Sequence, residues 1–142
     1  MRAIDQLLGE YAESHRNRTN QIIHKICVPL IVWSTVGLMW WVHPWLALGF
    51  MAFAVIYYLR LSWSLALAMG AAVGLMCLSY TRMPSNLLLP VMAAVWVGAW
   101  IAQFIGHEIE GKKPSFFRDV FFLLIGPLWV LAPIFRKLKI AY

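Results

Sequence analysis

Charge is the scarcest property of this sequence. Only 12 of its 142 residues are Lys or Arg and 6 are Asp or Glu, so charged residues make up 13%, against about 25% in ordinary soluble chains. So little charge excludes an intrinsically disordered chain. Cysteine is scarce too. Cys27 and Cys77 lie in separate apolar segments with no CxxC or zinc spacing. This excludes a disulfide scaffold and leaves two free buried thiols. The first 24 residues hold Arg2, Asp5, Glu10, Glu13, His15, Arg16, Arg18 and His24 but no apolar run, so no secretory signal is expected. No internal repeat or low-complexity stretch stands out.

What the chain has in quantity is apolar side chains. They make up 62% of it, against roughly 45–50% in globular proteins. A soluble fold of this size could not bury so much apolar surface. Composition therefore excludes a soluble enzyme and points to a small polytopic membrane protein, a single membrane-embedded domain over residues 1–142. The net charge is +6. The basic residues are scattered between apolar segments, which fits topology signals and lipid-headgroup contacts. Nucleic acid is not an expected partner.

Hydrophobic periodicity gives the organisation. Ile4, Leu7, Leu8 and Tyr11 recur at helical spacing, which predicts a short amphipathic helix over 2–14 on the membrane surface or on the rest of the fold. Apolar segments follow at Ile26–Val42, Trp45–Leu59, Leu61–Tyr80 and Leu87–Gly106. The last two are long enough to cross a hydrocarbon core of about 30 Å. The first is long enough if it starts near Gln21, and the second is short. His43-Pro44 joins the first two segments, beside Trp40, Trp41 and Trp45, which resemble an interfacial aromatic belt. A fifth segment, Val120–Phe135, is interrupted by Gly126-Pro127 and Pro133. With Arg16, Arg18 and Lys25 on the cytoplasmic side, four spans place Arg60, Lys112, Lys113 and Arg118 there as well. If the fifth segment dips in and returns, Arg136, Lys137 and Lys139 also stay inside. The expectation is an all-α integral membrane protein with four transmembrane helices, an N-terminal amphipathic helix and a C-terminal re-entrant or interfacial hairpin. Both termini are expected to be cytoplasmic. Five full crossings is the alternative.

This topology also sorts the histidines. His15, His24 and His107 fall at one membrane face and His43 at the other. His15 and His24 are nine residues apart, about 2.5 turns, so one continuous helix would put them on opposite faces. They can meet only if the chain turns between them, and Arg-Asn-Arg-Thr-Asn supplies that turn, with Thr19 or Asn20 able to cap the next helix. Gln103, His107 and Glu110 share one helical face. Gly111 ends that helix nearby, leaving either Glu108 or Glu110 able to face inward. Asn20 and Gln103 are candidates to orient a histidine or bind a ligand. Three imidazoles and a carboxylate suit a first-row transition metal, and with open positions they suit non-haem Fe(II) and O2 chemistry. Lys112, Lys113 and Arg118 are read as positive-inside charge, and also as partners for a substrate carboxylate.

Two stretches carry a family resemblance. One is Tyr11-Ala-Glu-Ser-His15-Arg-Asn-Arg-Thr-Asn20-Gln-Ile-Ile-His24-Lys-Ile-Cys-Val-Pro29. The other is Gln103-Phe-Ile-Gly-His107-Glu-Ile-Glu110-Gly-Lys-Lys-Pro114-Ser-Phe-Phe, continuing to Leu123-Leu-Ile-Gly-Pro127. Together they resemble the small membrane family of Fe(II)-dependent 2-hydroxy fatty acid dioxygenases, across nearly the whole chain. The resemblance implies α-oxidation, which shortens a 2-hydroxy fatty acid by one carbon with O2 as co-substrate. It implies that His15, His24 and His107 bind Fe(II) and carry catalysis, with Glu110, Glu108 or water completing the shell. Asn20, Gln103, Lys112 and Lys113 would support the metal or the substrate. It also implies residence in lipid, in a bacterial inner membrane or the endoplasmic reticulum. A non-enzymatic lipid-binding or transport protein is the competing reading. Another metalloenzyme, such as a hydroxylase, a desaturase or a zinc hydrolase, is a third.

Overall fold

The computed structural model describes residues 2–113 and 122–142. Among them the chain is all-helical, in the order α1 (Ala3–Glu13), α2 (Arg18–Val42), α3 (Pro44–Leu61), α4 (Trp63–Arg82), α5 (Ser85–Glu110) and α6 (Phe122–Lys137). Helices α2 to α5 are long and apolar enough to cross a membrane. The expected four spans are therefore present. The first begins at Arg18, and its 25 residues give about 37 Å at 1.5 Å per residue. Many large apolar side chains point outward, Trp45, Trp63, Leu67 and Leu75 among them. Such surface is costly in water and favourable in lipid.

Local chemistry sets the helix ends. Asn17 is the N-cap of α2, its side chain accepting from the backbone N–H groups of Thr19 and Asn20. The cap is thus two residues earlier than Thr19, because Asn17 already has extended backbone and a short acceptor. His43 caps α3, its ring nitrogen accepting from Trp45 N–H with Pro44 at the first helical position. Ser62 caps α4 in the same way. Gly111, at φ 75°, closes α5 in the left-handed conformation.

The up-and-down order puts the α2 start, the α3–α4 turn and the α5 end at one face. The α2–α3 and α4–α5 turns lie at the other. Helices α2 and α5 share the most extensive interface. A far-face core joins Val36, Ala47, Met51, Tyr80, Leu88 and Met92. The near-face core brings in α1 and α6: Ile4, Leu8 and Tyr11 pack with Tyr58, Leu65, Met69, Ile125, Leu128 and Phe135.

The described part of the C-terminal segment is helical. It is one helix of 16 residues, with Pro127 and Pro133 inside it. At about 24 Å it is shorter than a hydrocarbon core. Tyr58 Oη donates to the Leu124 carbonyl at 2.7 Å, tying its start to α3. Its far end returns to the starting face, where Arg2 contacts the Tyr142 carbonyl and Ser64 the Ala141 carbonyl. Tolerance of two prolines follows from position. A helix packed against α1 and α2 has neighbours that make up part of what each proline costs. Val120 and Arg118 lie outside the described residues.

Candidate metal centre

Three helix ends and one turn build the centre. Helix α1 stops at Glu13, and Ser14-His15-Arg16 reverse the chain before Asn17 starts α2. That turn lets His15 and His24 face one point, as the spacing argument required. His107 comes from the last turns of α5. All three imidazoles are buried, at 1%, 0% and 4% exposure. One ring nitrogen from each lies within 4.8 Å of the others. The ring centroids are 4.2 Å apart for His15–His24, 4.6 Å for His24–His107 and 4.9 Å for His15–His107. His43 is exposed at the opposite face and takes no part.

The tautomers are set by the backbone. His15 Nδ1 is 2.7 Å from the Tyr11 carbonyl and His24 Nδ1 is 3.0 Å from the Asn20 carbonyl. A carbonyl only accepts, so both Nδ1 atoms carry the proton and both Nε2 atoms are bare. Ser14 Oγ also lies 3.1 Å from His15 Nδ1. Burial pushes the His15 pKa down to about 4, with His107 acting in the same direction. The Tyr11 carbonyl bond and the Glu110 charge oppose that shift. His15 is therefore neutral at pH 7, the form in which imidazole binds metal.

These residues fit a metal ion. His15 Nε2 is buried with no hydrogen-bond partner, an unusual cost for a polar atom unless something completes it. His24 Nε2 and His107 Nε2 are 3.0 Å apart. Two nitrogens each about 2.1 Å from one ion, at a right angle, would be separated by about 3.0 Å.

The surroundings hold this arrangement. The Tyr11 ring stacks on His15 at 4.3 Å with 6° between planes, and Trp129 of α6 lies 5.2 Å from His15. Asn20 Nδ2 donates to the Ser14 carbonyl at 3.2 Å, and Gln21 Nε2 to the His15 carbonyl at 2.7 Å. Gly106 brings α5 against α2. A Cβ there would collide with Asn20 Oδ1 and sit 3.4 Å from Ile23 Cγ2.

The supporting residues expected from sequence divide by position. Asn20 and Gln103 are buried beside the imidazoles on α2 and α5. Glu110 lies on the face of His107, and Glu108 is exposed on the other side of the helix. The Glu110 carboxylate accepts from Arg16 N–H and from Asn17 N–H, the latter at 2.8 Å. Lys112 Nζ donates to the Glu13 carbonyl at 3.1 Å. Both bonds tie the end of α5 to the α1–α2 turn. Lys113 is exposed. Sequence reasoning had placed Tyr11 on the amphipathic helix and Asn17 in the turn without tying either to the centre, and had given Gly106 no part. Tyr11 precedes His15 by four residues on the buried face of α1, and that spacing is the signal that could have placed it.

Four helices long and apolar enough to cross a membrane, with three buried histidines at one end that could hold a metal ion, define the class of protein. The chain belongs to the Mpo1-like family: the family model described as 2-hydroxy-palmitic acid dioxygenase Mpo1-like matches residues 1–138. No curated protein and no solved structure matches the chain.

Proposed function

We propose that this protein is a non-haem Fe(II) dioxygenase that shortens 2-hydroxy fatty acids by one carbon. The observation that carries this reading is the convergence of three buried imidazoles at one end of the bundle, two of them oriented by backbone carbonyls. The family's name supplies the substrate class. In the reaction, a 2-hydroxy acid and O2 give the acid one carbon shorter, carbon dioxide and water. The bond between C1 and C2 breaks and molecular oxygen is the oxidant.

His15, His24 and His107 would hold the iron, which supplies Lewis-acid and redox chemistry toward a chelating hydroxy acid and O2. The chain's own part is geometric. The Tyr11 and Asn20 carbonyls fix two rings so that Nε2 faces the centre. Tyr11 and Trp129 cover His15 and keep water from it. Glu110 and Lys112 lock the α1–α2 turn onto α5. Lys113 offers exposed positive charge at the same face, suited to drawing in a carboxylate. A site at this boundary lets a polar head reach the metal while its tail stays in lipid.

The test is metal analysis of protein purified without air, combined with mass spectrometry of products from a 2-hydroxy fatty acid. One iron per chain and a product one carbon shorter are expected. His15→Ala, His24→Ala and His107→Ala should each lose both, and His43→Ala should keep both. Full turnover in His107→Ala would refute the assignment.

A further inference from the structure

The faces of α2 and α5 that carry the imidazoles continue inward to an apolar cavity. On α2, His24, Val28, Ile31 and Thr35 follow one another at helical spacing. On α5, His107, Gln103, Trp100 and Trp96 do the same. Ile31, Thr35, Trp96 and Trp100 line a partly open cavity of about 250 Å³ whose remaining walls come from α3, α4 and α6. From either histidine to the first lining residue is seven positions, about 10 Å along the helix. Val28 and Gln103 stand between. Gln103 Oε1 is buried with no hydrogen-bond partner, so the last free acceptor on this path sits where the polar centre gives way to apolar wall.

We propose that this cavity binds the alkyl tail of a long-chain 2-hydroxy fatty acid whose head engages the three imidazoles. The proposal rests on the oxygenase reading and extends it to chain length. A cavity of about 150 Å³ holds benzene, so one of 250 Å³ has room for on the order of ten carbons. A tail must first cover the 10 Å stretch and then fill that space, which selects long chains over short ones. Ala54 on α3 and Val73 on α4 line the cavity, and neither helix contributes a histidine to the centre. They are therefore the positions at which chain length can be altered without touching the metal.

Two measurements test this. First, Ala54→Phe and Val73→Phe are assayed on a short and a long 2-hydroxy acid. Turnover of the long acid should fall about tenfold or more relative to the short one, with iron content unchanged. Equal loss at both lengths, or no loss, would overturn the proposal. The second measurement needs no variant. A long-chain 2-hydroxy acid carrying a diazirine near its methyl end is photolysed on the wild-type protein in lipid nanodiscs. Labelling of Met51, Met69 or Met76, competed by the unlabelled acid, is expected. Labelling confined to outward residues such as Phe53 and Leu67, or labelling displaced only by excess phospholipid, would refute a substrate site. Turnover with outward labelling defeats the tail site alone. Competed cavity labelling without any turnover defeats the reaction and leaves the tail site standing.

Discussion

Substituting alanine for Gly106 tests the metal centre through packing alone, with no ligand touched. The new Cβ would meet Asn20 Oδ1 well inside contact distance, and a comfortable C···O contact needs about 3.3 Å or more. The gap between α2 and α5 must therefore open by about 1 Å. Asn20 cannot easily yield, since it is fully buried and its Nδ2 is held by the Ser14 carbonyl. Opening by that amount takes the His24–His107 nitrogen separation from 3.0 Å to about 4 Å. With bonds of about 2.1 Å, the angle between the two ligands would widen from about 90° to about 145°. Overpacking of this kind costs about 1–3 kcal/mol of stability, and a 1 Å misplacement at a reacting centre costs on the order of a hundredfold in rate. Metal content by mass spectrometry and thermal unfolding in detergent read both effects. Gly98→Ala on the same helix is the control. Its Cβ meets nothing within 4 Å, so it should keep full metal and gain up to about 1 kcal/mol. Asn20→Ser in the Gly106→Ala background should restore part of the metal by removing the clash. If Gly106→Ala binds metal as tightly as the unaltered protein, the close approach of α2 and α5 does not set the centre.

Glu110→Gln keeps an acceptor for Arg16 and Asn17 but removes its charge. We expect stability to fall by about 1–2 kcal/mol with metal retained; complete metal loss in a folded variant would make Glu110 a ligand instead. Tyr58→Phe deletes the bond to the Leu124 carbonyl and should lower stability by about 1 kcal/mol, read as faster proteolysis of α6 before global unfolding. The His15 pKa is lowered from 6.5 to about 4 on folding, so the unfolded chain binds this proton first. Metal-free protein should lose stability as pH falls from about 6.5 toward 4, by up to about 3 kcal/mol. His15→Gln should flatten that slope, and an unchanged slope would contradict the buried neutral imidazole.

Much of this was legible in the sequence. Apolar runs separated by His43-Pro44, by Arg60 and by Arg82 gave four spans, because a helix in lipid must be apolar for about 20 residues. The turn between His15 and His24 followed from 3.6-residue periodicity, since one straight helix would have pointed the two rings apart. The choice between Glu108 and Glu110 was not legible. It depended on α5 staying helical to Glu110 before Gly111 turned it. The C-terminal segment was expected to return to its starting face because a crossing would carry Arg136, Lys137 and Lys139 to the other side, and Pro127 and Pro133 interrupt it. Packing against α1 and α2 kept that segment as one helix, and proline chemistry alone does not report such neighbours.

Composition and periodicity by themselves determined a lipid-embedded helical bundle and the membrane face on which three of its four histidines lie, because transfer free energies and helix geometry act on local sequence. Tertiary structure decided that those three rings meet. Their convergence needs α2 and α5 to touch at Gly106 and Asn20, and α6 to close over His15. Such contacts join residues more than 80 positions apart, a separation that no local pattern encodes.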